Sequence, residues 1–128
     1  MNTIEIINKV SAPVENIEKI VNDSLAVFEK DNIYCEILFV DKTEIAALNK
    51  EHRTINKPTD VLSFPQISVP SAAISVLGSI VICPEVVAEK NELMPDVIKH
   101  GLLHLLGYDH EKNEREWDKA AAKIDCNL

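Results

Sequence analysis

His100-Gly101-Leu102-Leu103-His104-Leu105-Leu106-Gly107-Tyr108-Asp109-His110 holds three of the four histidines in the chain. On a helix of about 3.6 residues per turn, His100 and His104 stand one turn apart and differ by roughly 40° in azimuth, so both imidazoles reach one ion. A helix continued to His110 would carry that ring about 240° around the axis and roughly 9 Å further along, facing away. Gly107 supplies the remedy, because glycine adopts the left-handed conformation that ends a helix and folds the chain back over its last turn. The spacing therefore predicts a helix over the first two histidines, a glycine stop, and a turn that returns the third. Three neutral imidazoles leave a fourth tetrahedral position open, the arrangement of a catalytic zinc site and not of a closed structural one. Imidazole also suits nickel, iron and copper, so zinc is expected on coordination preference and availability.

The same spacing occurs in the HExxHxxGxxH signature of metzincin proteases, where a glutamate after the first histidine serves as general base. Gly101 occupies that position here. Peptide hydrolysis by that route is disfavoured, and a zinc-dependent peptide or ester hydrolase stays only as a second reading.

Working outward, the helix that bears the histidines starts at Pro95, with Val97, Ile98, Leu102, Leu105 and Leu106 as its core stripe. Thr3 to Val10 reads as a first strand, and Ser11 as the cap of a helix with Pro13 in its first turn and an apolar face of Val14, Ile17, Ile20, Val21, Leu25 and Phe28. Ile33 to Val40, apolar on both sides except for Glu36, reads as a central strand. Asp41 caps a second helix with Glu44 three residues on, Ile45 and Leu48 facing inward, and an end at Thr54 to Pro58. Thr59 to Pro65 and Ser79 to Cys83 are further strands separated by the connection Gln66 to Ala73. Pro84 opens a short helix through about Lys90, and Trp117, Ala120, Ala121 and Ile124 mark a final one. The expected fold class is α+β: one domain over 1–128, with a small mixed β-sheet packed against several α-helices and the metal site on a helix of the C-terminal half and the turn after it.

The 128 residues, 46% hydrophobic, suffice for one globular core. The N-terminal residues lack a basic region and a long apolar segment, so no secretory signal is expected. The most apolar run, Ile67 to Cys83, is broken by Pro70 and Gly78, so no membrane span is expected and the protein reads as cytoplasmic. Cys35, Cys83 and Cys126 are odd in number and lack CxxC spacing, which argues against a disulfide framework or a thiolate metal site; the first two read as core residues within strands. The net charge of −8 disfavours general nucleic-acid binding, since phosphates must be met by lysine and arginine. Lys50, Arg53 and Lys57 nevertheless form a local basic group, the lysines being candidate RNA contacts. His52 reads as exposed. Asp60 is a candidate for accepting a ligand imidazole's second ring proton, or for capping the turn after Pro58. Asp109 either supports the site, as a base or through a ligand, or satisfies the turn after Gly107.

Leu48-Asn49 through Arg53, the run Pro58-Thr59-Asp60-Val61-Leu62-Ser63-Phe64-Pro65, the Leu77-Gly78-x-Ile80 strand entry and the histidine stretch together resemble the bacterial YbeY family of metal-dependent endoribonucleases. The likeness runs from about residue 41 to 117. It implies a zinc-dependent, single-strand-specific endoribonuclease that acts in small-subunit (16S) ribosomal RNA 3′-end maturation and ribosome quality control, with ribosomal RNA and the small subunit as partners. It also implies that His100, His104 and His110 bind one zinc ion and that Arg53 is the functional arginine. A guanidinium beside the ion suits a phosphate held bidentately in a pentacoordinate transition state. With no glutamate at 101, the base is left open between a metal-bound hydroxide, Asp109 and the substrate 2′-hydroxyl. Ser79 stands where the family usually has an acid. That departure, with the acidic surface, motivates a third reading: a non-catalytic zinc-containing ribosome-assembly factor.

Overall fold

A computed structural model of the chain describes residues 1–66 and 75–128. The sheet has four strands in the order β1-β2-β4-β3, where β1 is Thr3–Asn8, β2 Ile33–Phe39, β3 Val61–Pro65 and β4 Ser75–Ile82. β1 runs parallel to β2 and β2 parallel to β4, whereas β3 pairs antiparallel with β4, which makes the sheet mixed and leaves β3 on an edge. Five helices complete the described fold: α1 Ile17–Val27, α2 Lys42–Arg53, α3 Pro84–Glu89, α4 Met94–Leu105 and α5 Glu114–Lys123.

The alternation of strand side chains divides the core between two faces. Cys35, Ile37, Phe39, Ile80 and Ile82 meet α1 (Ile17, Val21, Leu25) and α4 (Val97, Ile98, Leu102). On the other face Val81, Leu62, Leu38 and Phe64 meet Ile45 and Leu48 of α2. α5 closes a third cluster in which Trp117, Ala120, Ala121 and Ile124 pack on Leu103 of α4. Asp41 caps α2 as expected, its Oδ1 accepting the Glu44 N–H at 2.8 Å.

Several boundaries differ from the sequence reading by one or two residues, and two starts differ by more: those of α1 and β4. α1 starts at Ile17, not in the Ser11–Pro13 stretch. The side chain of Asn8 accepts the N–H groups of Val10 and Ala12 and donates to the Ala12 carbonyl, which ties 8–12 into a turn with Ser11 at φ 53°. Pro13 further disfavours helix at the residue before it. β4 begins at Ser75 instead of Ser79 and ends one residue before Cys83, because neighbouring β2 supplies partners that no local pattern reveals; Leu77 is the extra residue of a bulge between the Tyr34–Val76 and Cys35–Gly78 pairs. The anticipated Gln66 to Ala73 connection lies, apart from Gln66, outside the described residues.

Cys35, Cys83 and Cys126 are free and buried, and burial pushes the Cys35 thiol up to about 12. No helix among the described residues is long and apolar enough to cross a membrane.

Candidate metal centre

The expected glycine stop is present. Gly107 takes φ 98°, its N–H donates to the His104 carbonyl at 3.0 Å, and the Tyr108 N–H reaches back to the Leu103 carbonyl at 3.0 Å. This pair of bonds reverses the chain as in a Schellman end. Asp109 then organises the next turn, its Oδ1 accepting the Glu111 N–H at 2.9 Å. Its carbonyl accepts from Lys112 and Asn113, and Asn113 caps α5. His110 sits on this turn and is thereby carried back over α4.

One ring nitrogen from each of His100, His104 and His110 lies within 4.8 Å of the others. Ligands each about 2.0–2.1 Å from a tetrahedral zinc ion lie about 3.3–3.4 Å apart, so the rings close by up to about 1.5 Å to share one. Nδ1 of His100 is buried without a hydrogen-bond partner, an orphaned polar atom beside the cluster that a bound cation satisfies. Burial, then the proximity of His104, pushes the His100 pKa down to about 4, and burial also lowers that of His104. Both rings are therefore neutral at pH 7, with lone pairs available to a metal. The residues fit a metal ion.

Trp117 of α5, 4% exposed, lies against all three imidazoles, with centroid distances of 5.0 Å to His100, 4.9 Å to His104 and 5.2 Å to His110. Sequence reading placed Trp117 in the core stripe of α5 and did not place it against the cluster. Gly101 faces the sheet: a Cβ there would meet Ile80 Cγ2 at 2.8 Å and Ser63 Oγ at 3.3 Å, and that hydroxyl donates to the Gly101 carbonyl at 3.1 Å. α4 thus lies so close to β3 and β4 that the position of the metzincin glutamate has no room for one.

The cluster opens into a cleft of about 750 Å³ lined also by His52, Arg53, residues 59–65 and residues 107–112. A family model, endoribonuclease YbeY, matches residues 3–124. The chain is 45% identical over 97 residues to the endoribonuclease YbeY of Sulfurimonas denitrificans, covering 70% of this chain and 68% of the relative. It is 38% identical over 119 residues to that of a Sulfurihydrogenibium species, covering 81% and 78%. This chain belongs to the endoribonuclease YbeY family. The fold agrees with the solution structure of TM1509 from Thermotoga maritima, at TM-score 0.59 and 29% identity over 98% of this chain and 87% of that one.

In this YbeY family member Arg53 closes α2 and lines the cleft, and among the described residues no ion pair holds its guanidinium. Lys50 and Lys57 are exposed and are not among the cleft-lining residues, whereas Lys112, which sequence reading missed, is. Asn49 was also missed as an individual: it is 2% exposed, and its Nδ2 donates to the Lys57 carbonyl at 2.9 Å, fastening the link from α2 to β3. Ser79 bonds Glu36 Oε1 at 3.2 Å across the β2–β4 pair and does not line the cleft.

Of the two roles anticipated for Asp60, the hydrogen bonds favour the turn. Its Oδ1 accepts from Val61 N at 2.8 Å and from Thr59 Oγ1 at 3.2 Å, with Lys90 Nζ at 3.6 Å. Asp109 likewise serves its turn, where the Glu111 N–H, against a small effect of burial, holds its carboxyl below the ordinary range. That engagement makes it a weak proton acceptor.

Asp60, which lines the cleft, and Glu92, which does not, form a carboxyl pair. Burial works against the Asp60 carboxylate, but the hydrogen bond from Glu92 and the Lys90 charge outweigh it and hold its pKa low. Burial, and then that same bond, pushes Glu92 up to about 7. Glu92 therefore retains its proton in the folded state while the unfolded chain, near 4.5, has lost it. Its contribution to stability is full below about 4.5 and is lost as pH rises through about 7. Glu92→Gln keeps a donor toward Asp60 at every pH and is expected to be more stable than the parent at pH 8.5 by about 1 kcal/mol, the shift being discounted for partial exposure, with no difference near pH 4. Urea unfolding at the two pH values measures this.

Trp117→Ala removes a buried ring that touches all three imidazoles and is expected to cost about 3–5 kcal/mol, whereas Trp117→Phe costs less than half as much. Urea midpoints of the two variants check the order.

Proposed function

We propose that this chain is a zinc-dependent, single-strand-specific endoribonuclease of the cytoplasm that matures the 3′ end of 16S ribosomal RNA on the small ribosomal subunit and takes part in ribosome quality control. The observation that carries the catalytic part is the convergence of three imidazoles in a cleft that Arg53 also lines. Membership of the endoribonuclease YbeY family supplies the RNA.

His100, His104 and His110 hold the ion, and Trp117 fixes the rings that present it. When bound, the ion supplies Lewis acidity, lowering the pKa of a water toward about 7 or polarising a phosphoryl oxygen. Arg53 holds the scissile phosphate and offsets the charge that develops on its oxygens. Gly107 and the Asp109 turn position His110. The space at Gly101 closes the route to glutamate-assisted peptide hydrolysis, so the peptidase alternative receives no support from the fold.

The test uses protein purified without an affinity tag. Elemental analysis is expected to find about one zinc per chain, and the protein is expected to cut single-stranded RNA and spare its duplex. Cells lacking the protein should accumulate 16S precursor with unprocessed 3′ ends. Intact single-stranded RNA in the presence of a full zinc complement would overturn the catalytic reading in favour of a zinc-containing assembly factor.

A further inference from the structure

His52 and Arg53 are adjacent at the end of α2, and both line the cleft that contains the histidine cluster. The His52 imidazole is packed on Phe64 of β3, with centroids 4.8 Å apart and planes inclined at 60°. The two rings differ in exposure. Phe64 is half-buried and packs against the apolar cluster under α2, whereas His52 is exposed. A core-anchored ring thus carries a second ring at the cleft surface.

The edge strand gives this pair its place relative to the metal centre. Along β3, Ser63 faces α4 and bonds the Gly101 carbonyl, while Leu62 and Phe64 face α2. The cleft therefore wraps the outer edge of β3, with the imidazole cluster on one side of the sheet and the His52–Phe64 pair on the other. A strand of RNA seated at the cluster and at Arg53 passes this pair.

Charge sets what that strand gains there. The cleft is lined by Arg53 and Lys112 but also by Asp60, Asp109 and Glu111, on a chain of net charge −8. Such a lining holds few phosphates, so sequence-independent backbone attraction is weak. An aromatic face supplies affinity that does not depend on phosphate neutralisation, and every unpaired base has a face to offer. Bases within a duplex are stacked on one another and cannot offer theirs.

We propose that His52, backed by Phe64, is a stacking subsite for one unpaired nucleobase of the RNA strand whose phosphate Arg53 holds, and that this subsite contributes the preference for single strands. The inference rests on the ribonuclease reading above.

Fluorescence anisotropy of the zinc-loaded full chain tests it, with three labelled probes on the order of ten nucleotides long: a 2′-O-methyl single strand, an abasic sugar-phosphate strand, and a duplex. His52→Ala is expected to weaken the base-bearing strand about five- to tenfold and to leave the abasic strand unchanged. His52→Phe keeps an aromatic face without a titratable nitrogen and is expected to bind as the parent does; Phe64→Leu, which removes the backing ring, falls between. Equal weakening on base-bearing and abasic strands, or a His52→Phe variant as weak as His52→Ala, would overturn the subsite and leave the ribonuclease reading standing. Failure of the parent protein to bind any of the three probes would overturn the ribonuclease reading, and the subsite with it.

Discussion

His104→Ala is expected to lower cleavage of single-stranded RNA by on the order of a thousandfold or more, with metal content falling well below one ion per chain. His104 is the middle ring of the cluster, one helical turn from His100 and against Trp117, so its loss leaves two imidazoles that no longer enclose a site. The fold should survive. His104 is half-buried and makes its principal contacts with the other rings, so the metal-free variant should unfold near the same urea concentration as metal-free parent protein. Cleavage within about tenfold of the parent, from a variant shown to be metal-free, would place the chemistry outside the cluster.

Arg53→Ala is expected to reduce kcat by about 10²–10³, equivalent to about 2.7–4 kcal/mol of transition-state stabilisation, with zinc content and thermal midpoint unchanged. The position supports so specific an effect: the side chain is exposed at a helix end, lines the cleft, and has no ion pair among the described residues that its loss would leave unmatched. Arg53→Lys retains the charge but not the two-pronged donor geometry, and should recover only part of the loss. Single-turnover cleavage at saturating RNA separates this from weakened binding. A variant that raises KM while sparing kcat would reduce Arg53 to a docking contact.

The outcomes at Asp60 and Asp109 show where a sequence stops being informative. Both lie beside functional positions, and either residue type can serve a metal site or a turn. The hydrogen bonds that each makes are those of its turn, to Val61 and Thr59 for the first and to Glu111 for the second, and both also line the cleft. The beginning of α1 is a similar case. Ser11 and Pro13 carry sound local signals for a helix start, and the Asn8 side chain overrides them by claiming the same backbone groups for a turn.

By itself the sequence determined the histidine helix, its stop at Gly107, the return of His110, the Asp41 cap, the mixed α+β class and the family. Each of these depends on residues within a few positions of one another, or on ordered motifs, and helix periodicity and glycine's left-handed backbone act over that range. Tertiary structure alone decided that β4 begins at Ser75, that Gly101 is a packing residue, that Trp117 backs the cluster, and that His52 meets Phe64 at the rim of the cleft. Those relations join residues distant along the chain. They exist because the two faces of one sheet bring α2 and α4 to the edge strand while α5 packs on α4, and no local pattern carries that distance.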